Sequence, residues 1–454
     1  MAVAKVSDAT LGTILKIISQ GGVTNNFSAD HEMWDYILKI QESPEAKGRQ
    51  LRKALRSTKG QGAVGALPVN NGAYKTGRQA AVSELIAEWK DFGATIEVDR
   101  TVVAKALKDF DSYGQPLVDE IDLKMISLAR DLSRQALAEG TGVLAKALDA
   151  GAVLESGTND RITFNVDTTN GAQGGLEWVE VGDILHQVNS DGTDAAPSVA
   201  SGTYNYLLVD AVDRDANTIT LAAYNSAGTQ LSVTATGTTA GDFLVRGTTS
   251  DTHFQDLSSI STTDYNTLSI EIIGLEAHAS NDGRKIDNIT CSGNLMASQE
   301  DADGLPLDFS NFQKLLSTQM RRAGKMKYRY NQALMAYETY DAMVQANEVH
   351  RQLVSIRDEK RGFDRLGYQY GRQSVAFVQE EFMKRNRVYT IPDKGVLQFY
   401  GTEFDFVMPN GSDKFHLKPN STGYDRSIQA FMEGSGALIS VHNAAIGRLH
   451  NFTI

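Results

Sequence analysis

The stretch from Pro116 to Gly142, PLVDEIDLKMISLARDLSRQALAEGTG, decides how the rest of the chain is read. Leu117, Ile121, Met125, Leu128, Leu132 and Ala136 recur at spacings of three and four, with Val118 and Ala129 beside them. That period puts them on one stripe of a helix. Proline suits the first helical position, and Gly140 and Gly142 supply the stop. Glu120, Lys124, Asp131 and Arg134 fall between the apolar positions and read as the solvent side. A helix this long and this one-sided needs an extended partner surface, in its own chain or in a neighbour.

Working outward, the N-terminal side divides into three parts. Residues 1–56 read as short helical pieces: Leu11, Leu15 and Ile18 form one stripe, and Met33, Trp34, Ile37 and Leu38 another. A third, opened by Pro44, carries Lys47, Arg49, Arg52, Lys53 and Arg56. This basic run reads first as a solvated face, or one facing acidic neighbours, with a face toward DNA as the open alternative. Residues 57–78, STKGQGAVGALPVNNGAYKTGR, are loop-like. Gly60, Gly62 and Gly65 match GxGxxG, but the dinucleotide motif needs a strand before it and a helix after it, and Pro68 follows within three residues. Asn70-Asn71-Gly72 is the better signal, marking a tight hairpin turn. Residues 79–110 are ambiguous: Val82, Leu85, Ile86 and Trp89 have helical spacing, whereas 94–103 alternates like a strand.

On the C-terminal side, the helix runs to Gly142 with a short apolar continuation to about Leu154, and then the composition changes. No lysine occurs between Lys146 and Lys285, and 158–254 holds twelve acidic residues against three arginines. Short apolar runs separated by Thr, Gly and Ser turns predict a small all-β domain inserted there. Asp213, Asp215 and Asn217 have calcium-loop spacing, but Thr218 stands where the loop needs glycine and Tyr224 where it needs glutamate. Residues 255–395 return to mixed α/β, with a helix after Asp308, a strand at 333–337, a helix near Thr339 and strands at 374–378 and 387–391. The tail, 396–454, reads as strands at 396–400, 404–408, 428–432 and 437–441. The fold class is α+β.

Composition excludes several functions. The 454 residues carry a net charge of −12, which argues against general nucleic-acid binding. The single cysteine, Cys291, can form no internal disulfide and is compatible with a reducing compartment. No apolar run is long enough to span a membrane, and the N-terminus lacks the pattern of a signal peptide. There is no GxSxG, HExxH, Walker loop or CxxC, and the eight histidines lack metal-ligand spacing. The sequence predicts no catalytic residues, cofactor or metal.

The order of arm, hairpin, long helix, β insert, α/β region and β tail resembles the major capsid protein of tailed double-stranded DNA bacteriophages. The carriers are 95–137, TIEVDRTVVAKALKDFDSYGQPLVDEIDLKMISLARDLSRQAL, then ALMAYETYDAMV at 333–344, VAFVQEEFMKRNRVYTIP at 375–392 and SIQAFMEGSGALISVHNAAIGRL at 427–449. The resemblance implies an N-terminal arm (1–56), an extended loop (57–100), a peripheral domain with the spine helix (101–157 and 396–454), an inserted β domain (158–254) and an axial domain (255–395). It implies hexamers and pentamers of the chain tiling an icosahedral shell around DNA in the virion, assembled in the host cytoplasm. Portal and scaffolding proteins, and a decoration protein on some shells, are the implied partners. Trp34, Arg52, Arg56, Asn71, Gly72, Arg78, Arg321, Arg322, Lys360 and Arg361 are the expected inter-subunit contacts. The arm-like sequence starts almost at Met1, which suggests a separate scaffolding protein. Lys59 and Lys75 have no asparagine that the sequence pairs with them, so no cross-link is expected. An encapsulin-like compartment, which shares the fold, and a tail or baseplate component are the alternatives.

Overall fold

The structure is a computed structural model in which residues 82–99, 116–154 and most of 37–56, 161–246 and 271–454 are described. The long helix α1 spans Pro116–Leu137, about 33 Å at 1.5 Å per residue. Gly140 ends its exit turn at φ 84°, in the left-handed region where glycine avoids a Cβ clash. Past Leu137 the chain is not helical. Val143–Lys146 and Ala152–Leu154 are strands, and both join the sheet of the β insert.

That sheet runs in the order 143–146, 243–246, 184–188, 206–213, 218–224, 161–165, 152–154. It closes on itself where Ala147 bridges Val166, flanked by Asp167 N–H to the Lys146 carbonyl (2.8 Å) and Leu148 N–H to the Asn165 carbonyl (2.9 Å). Closure removes the open edges that an isolated sheet would expose. The alternating residues Leu144, Ile162, Phe164, Leu185, Leu207, Ile219, Leu221 and Leu244 are buried and fill the barrel.

A second, α/β layer holds strands in the order 298–301, 447–450, 387–392, 330–335, 373–379, 364–370, 353–357. Helix α2 is the single turn Leu275–His278; α3 spans Phe309–Ala323 and α4 spans Tyr337–Glu348. Phe312 and Leu316 of α3 are fully buried, and Phe312 meets Phe377 edge-to-face at 5.8 Å. The tail is divided between sheets: its last strand, Gly447–His450, lies in this α/β sheet, paired on both sides.

The third layer is organised on Gly423–Ser440, an 18-residue strand about 60 Å long at 3.3 Å per residue. Lys90–Asp99 pairs along one side of it; Leu397–Phe406 and His416–Asn420 pair on the other. The short runs read at 428–432 and 437–441 are one strand. Gly434 makes the crossing tight: a Cβ there would strike the Phe92 ring, which leans against Phe399 with centroids 6.5 Å apart. Barrel, α1 and α/β layer share one continuous apolar core, in which Phe164, Leu132 and Phe377 belong to the same cluster.

Candidate assembly surfaces

Two features could serve interaction: a hairpin that leaves the body, and the charged seam where helix, barrel and α/β layer meet. The hairpin corrects the helical reading of the basic run. Gln50–Arg56 is a strand, paired antiparallel with Val82–Glu88 from Gln50 opposite Glu88 to Arg56 opposite Val82. Leu38–Ile40 is likewise a strand, parallel to 398–400. QLRKALR satisfies both periods, and pairing with an alternating partner selects the strand.

Support for the hairpin falls off along its length. At its base Leu51, Leu85 and Ala87 pack on Tyr400, Ala437 and Ile439. Lys53 Nζ donates to Gln398 Oε1 (3.0 Å) and Tyr400 Oη (2.7 Å), and Ile86 N–H bonds the Asp287 carbonyl at 2.9 Å. At its outer end Val82 is 61% exposed.

Of the expected contact residues, Arg52 lies on this hairpin, exposed, 3.6 Å from Glu84. Arg56 is the last residue of its strand. Arg321 and Arg322 are exposed on the last turn of α3, and Arg322 Nη1 donates to the Ala297 carbonyl at 2.6 Å. Trp34, Asn71, Gly72, Arg78, Lys360 and Arg361 lie outside the described residues, as do the basic positions 325–329. The structure brings Arg52 and Arg56 onto one hairpin and places the α3 arginines in the α/β layer.

The seam was not legible in sequence, and it overturns the solvent-side reading of Arg134. That residue is buried, bonded to Asp131 (3.0 Å) and to Glu271 (2.6 Å), 137 residues away. Arg130 of α1 bridges Glu180 of the barrel and Glu381 of the α/β layer, the latter at 2.8 Å. Arg246 of the barrel reaches back to Asp131 of α1, and Arg385 pairs with Glu177 (3.4 Å) and Glu338 (3.2 Å). Trp178 Nε1 donates to the Phe382 carbonyl (2.7 Å), and the Lys384 ammonium lies 5.1 Å from the indole centroid. Glu276 of α2 holds Lys384 at 3.0 Å and also pairs with Arg387. Burial pushes the carboxyls of Glu177 and Glu180 up, with Arg385 and Arg130 pulling back only in part. Burial likewise lowers the Lys384 ammonium. Buried pairs of this kind orient elements more than they stabilise them.

Among the described residues no group of His, Cys, Asp or Glu could hold a metal ion, and no helix is long and apolar enough to cross a membrane. No protein-family model matches the chain, and no curated protein matches it in sequence. Among solved structures it is similar to the capsid asymmetric unit of cyanophage A-1(L), with a TM-score of 0.51 over 95% of each chain at 10% identity. The chain has the phage capsid fold. The capsid of Myoviridae phage XM1 aligns over 95% of this chain and 99% of that one, at TM-score 0.39 and 8% identity. The SrpI encapsulin of Synechococcus elongatus aligns over 34% and 53%, at TM-score 0.25 and 7% identity.

Proposed function

We propose that this chain is a structural subunit that assembles, as hexamers and pentamers, into the icosahedral shell enclosing the double-stranded DNA of a tailed phage. The observation that carries the reading is the capsid fold combined with a hairpin whose base is anchored on the body and whose Val82, at the far end of the described ladder, is 61% exposed. Its two long strands, with the two-residue strand Ala46–Lys47 beside them, make a ribbon that is at best marginally stable alone in water; in a ring of identical subunits it gains further contacts from the next copy. The hairpin then acts as the extended loop. Helix α1 with the long-stranded sheet forms the peripheral domain, the α/β layer the axial domain, and the barrel an inserted domain. The role is non-catalytic. Its partners are further copies of itself, a portal, a scaffolding protein and packaged DNA held without sequence specificity, and its place is the virion, after assembly in the host cytoplasm.

Negative-stain microscopy of the purified chain, alone and with a candidate scaffolding protein, tests this. Closed angular shells or capsomer rings are expected. A chain that stays monomeric with scaffold present would end the shell reading. Shells that co-purify with an enzyme and no DNA would reassign the fold to a cargo compartment, and tubes or discs to a tail component.

A further inference from the structure

The hairpin is held from two directions. Across its ladder Leu51 stands opposite Ala87 and Lys53 opposite Leu85, so these four side chains share one face. That face lies on Tyr400, Ala437 and Ile439 of the long-stranded sheet. Side chains stand perpendicular to a ribbon, whereas its backbone N–H groups lie in its plane. The second hold is in that plane. Ile86 stands opposite Arg52, and its N–H leaves the ladder to bond the Asp287 carbonyl at 2.9 Å. A contact on the face alone lets a ribbon rock sideways on the body; a bond at its edge opposes that motion.

The carbonyl is presented by a tight turn. Lys285–Ile286 and Ile289–Thr290 pair as a small hairpin with Asp287 and Asn288 between them. Both turn residues have positive φ, 52° and 64°, as a two-residue type I′ turn requires. Glycine enters that region freely, whereas Asp and Asn enter it with strain. Asp287 is 2% exposed, and Ile289 packs in the same apolar cluster as Leu51 and Leu85. Strain held in place by packing points to a task for the turn.

We propose that the Lys285–Thr290 turn is a strut that fixes the angle at which the hairpin leaves the body, and thereby the size of the shell. The strut needs only one chain; its effect on size rests on the shell reading above. The strand Gln50–Arg56 is about 20 Å long at 3.3 Å per residue, so a sideways rock of about 10° at the base moves its far end by roughly 3–4 Å. A neighbour seated on that end moves with it, and a ring of such contacts closes with a different curvature.

The test uses the full chain with two substitutions at Asn288, whose side chain is exposed. Asn288→Gly relieves the turn, and Asn288→Val, β-branched at positive φ, breaks it. In the unassembled chain, deuterium exchange at the Ile86 amide should run roughly tenfold faster than wild type in Asn288→Val, and slower than wild type in Asn288→Gly. Asn288→Val should melt within a few degrees of wild type, which separates a loosened hairpin from a misfolded body. Should it melt far lower, the slower exchange of the glycine variant decides. Assembled with a scaffolding protein, wild type and Asn288→Gly should give particles of one diameter, and Asn288→Val a spread of diameters. Equal exchange in all three chains would overturn the strut. Faster exchange in Asn288→Val, with particles as uniform as those of wild type, would overturn its control of size. A wild type that forms no particles would end the shell reading, and the Ile86 exchange rates alone would then decide the strut.

Discussion

His278 shows what a single buried group does to this protein. The residue is 1% exposed, its Nε2–H donates to the Leu438 carbonyl at 3.3 Å, and burial lowers its pKa from 6.5 to about 4. The folded chain therefore takes up this proton less readily than the unfolded chain. Its contribution is complete above pH 6.5 and is lost as pH falls through 4. At 1.36 kcal/mol per pKa unit the loss reaches at most about 3 kcal/mol. Glu177 and Glu180, whose pKa values are raised by burial, act in the opposite sense, gaining stability as pH falls through their raised values. Comparing urea midpoints of wild type and His278→Gln between pH 7 and pH 4 isolates the histidine. The wild type should fall more steeply across that window, and parallel profiles would show that His278 is not buried neutral. Nothing around the Leu275–His278 turn marked this histidine in sequence, because the carbonyl it meets is 160 residues away.

At the scale of elements, the hairpin separates stability from assembly. Arg52 and Glu84 are more than half exposed at 3.6 Å, and such pairs contribute about 0–1 kcal/mol. Arg52→Glu should leave the melting temperature of the monomer nearly unchanged while reducing the yield of shells several-fold in a sedimentation assay. Unchanged shell yield would remove Arg52 from the interface. By contrast, Leu85→Ala opens a cavity at the hairpin base and should cost about 2–5 kcal/mol, measured by chemical denaturation. Elements with one dominant period were legible in sequence: helix α1 from its stripe, α3 from Asp308 onward, and the barrel strands from alternation between turns. Gln50–Arg56 was not, because Leu51, Lys53 and Leu55 alternate while Leu51, Ala54 and Leu55 also recur at helical spacing, and only Val82–Glu88 arbitrates. The charged seam was invisible for a different reason. Arg130, Arg134 and Arg385 look like ordinary surface cations until Glu180, Glu271 and Glu177 arrive from distant parts of the chain.

For the whole molecule, the shared core and the seam make the barrel a fixed part of the body rather than a swinging appendage. Domains joined by a large apolar interface unfold together, so calorimetry of the monomer should show one transition. Trp178→Ala removes both the bond to Phe382 and the ring beneath Lys384, and should split that transition in two; a split already present in the wild type would show that the two parts are independent. The way the chain enters and leaves the barrel carries a further consequence. It departs just after Gly140 and is back at Glu271, whose N–H bonds the Gly140 carbonyl at 3.1 Å. The described ends of that excursion thus meet where Glu271 bonds Gly140, beside the Ile272 N–H to Gln135 Oε1 bond (3.3 Å). A lineage could exchange the module housed there, or an engineer could install a displayed protein, without re-threading the rest of the fold. The newcomer would have to bring its own aromatic lid for the Phe382 carbonyl and carboxylates to meet Arg130 and Arg385.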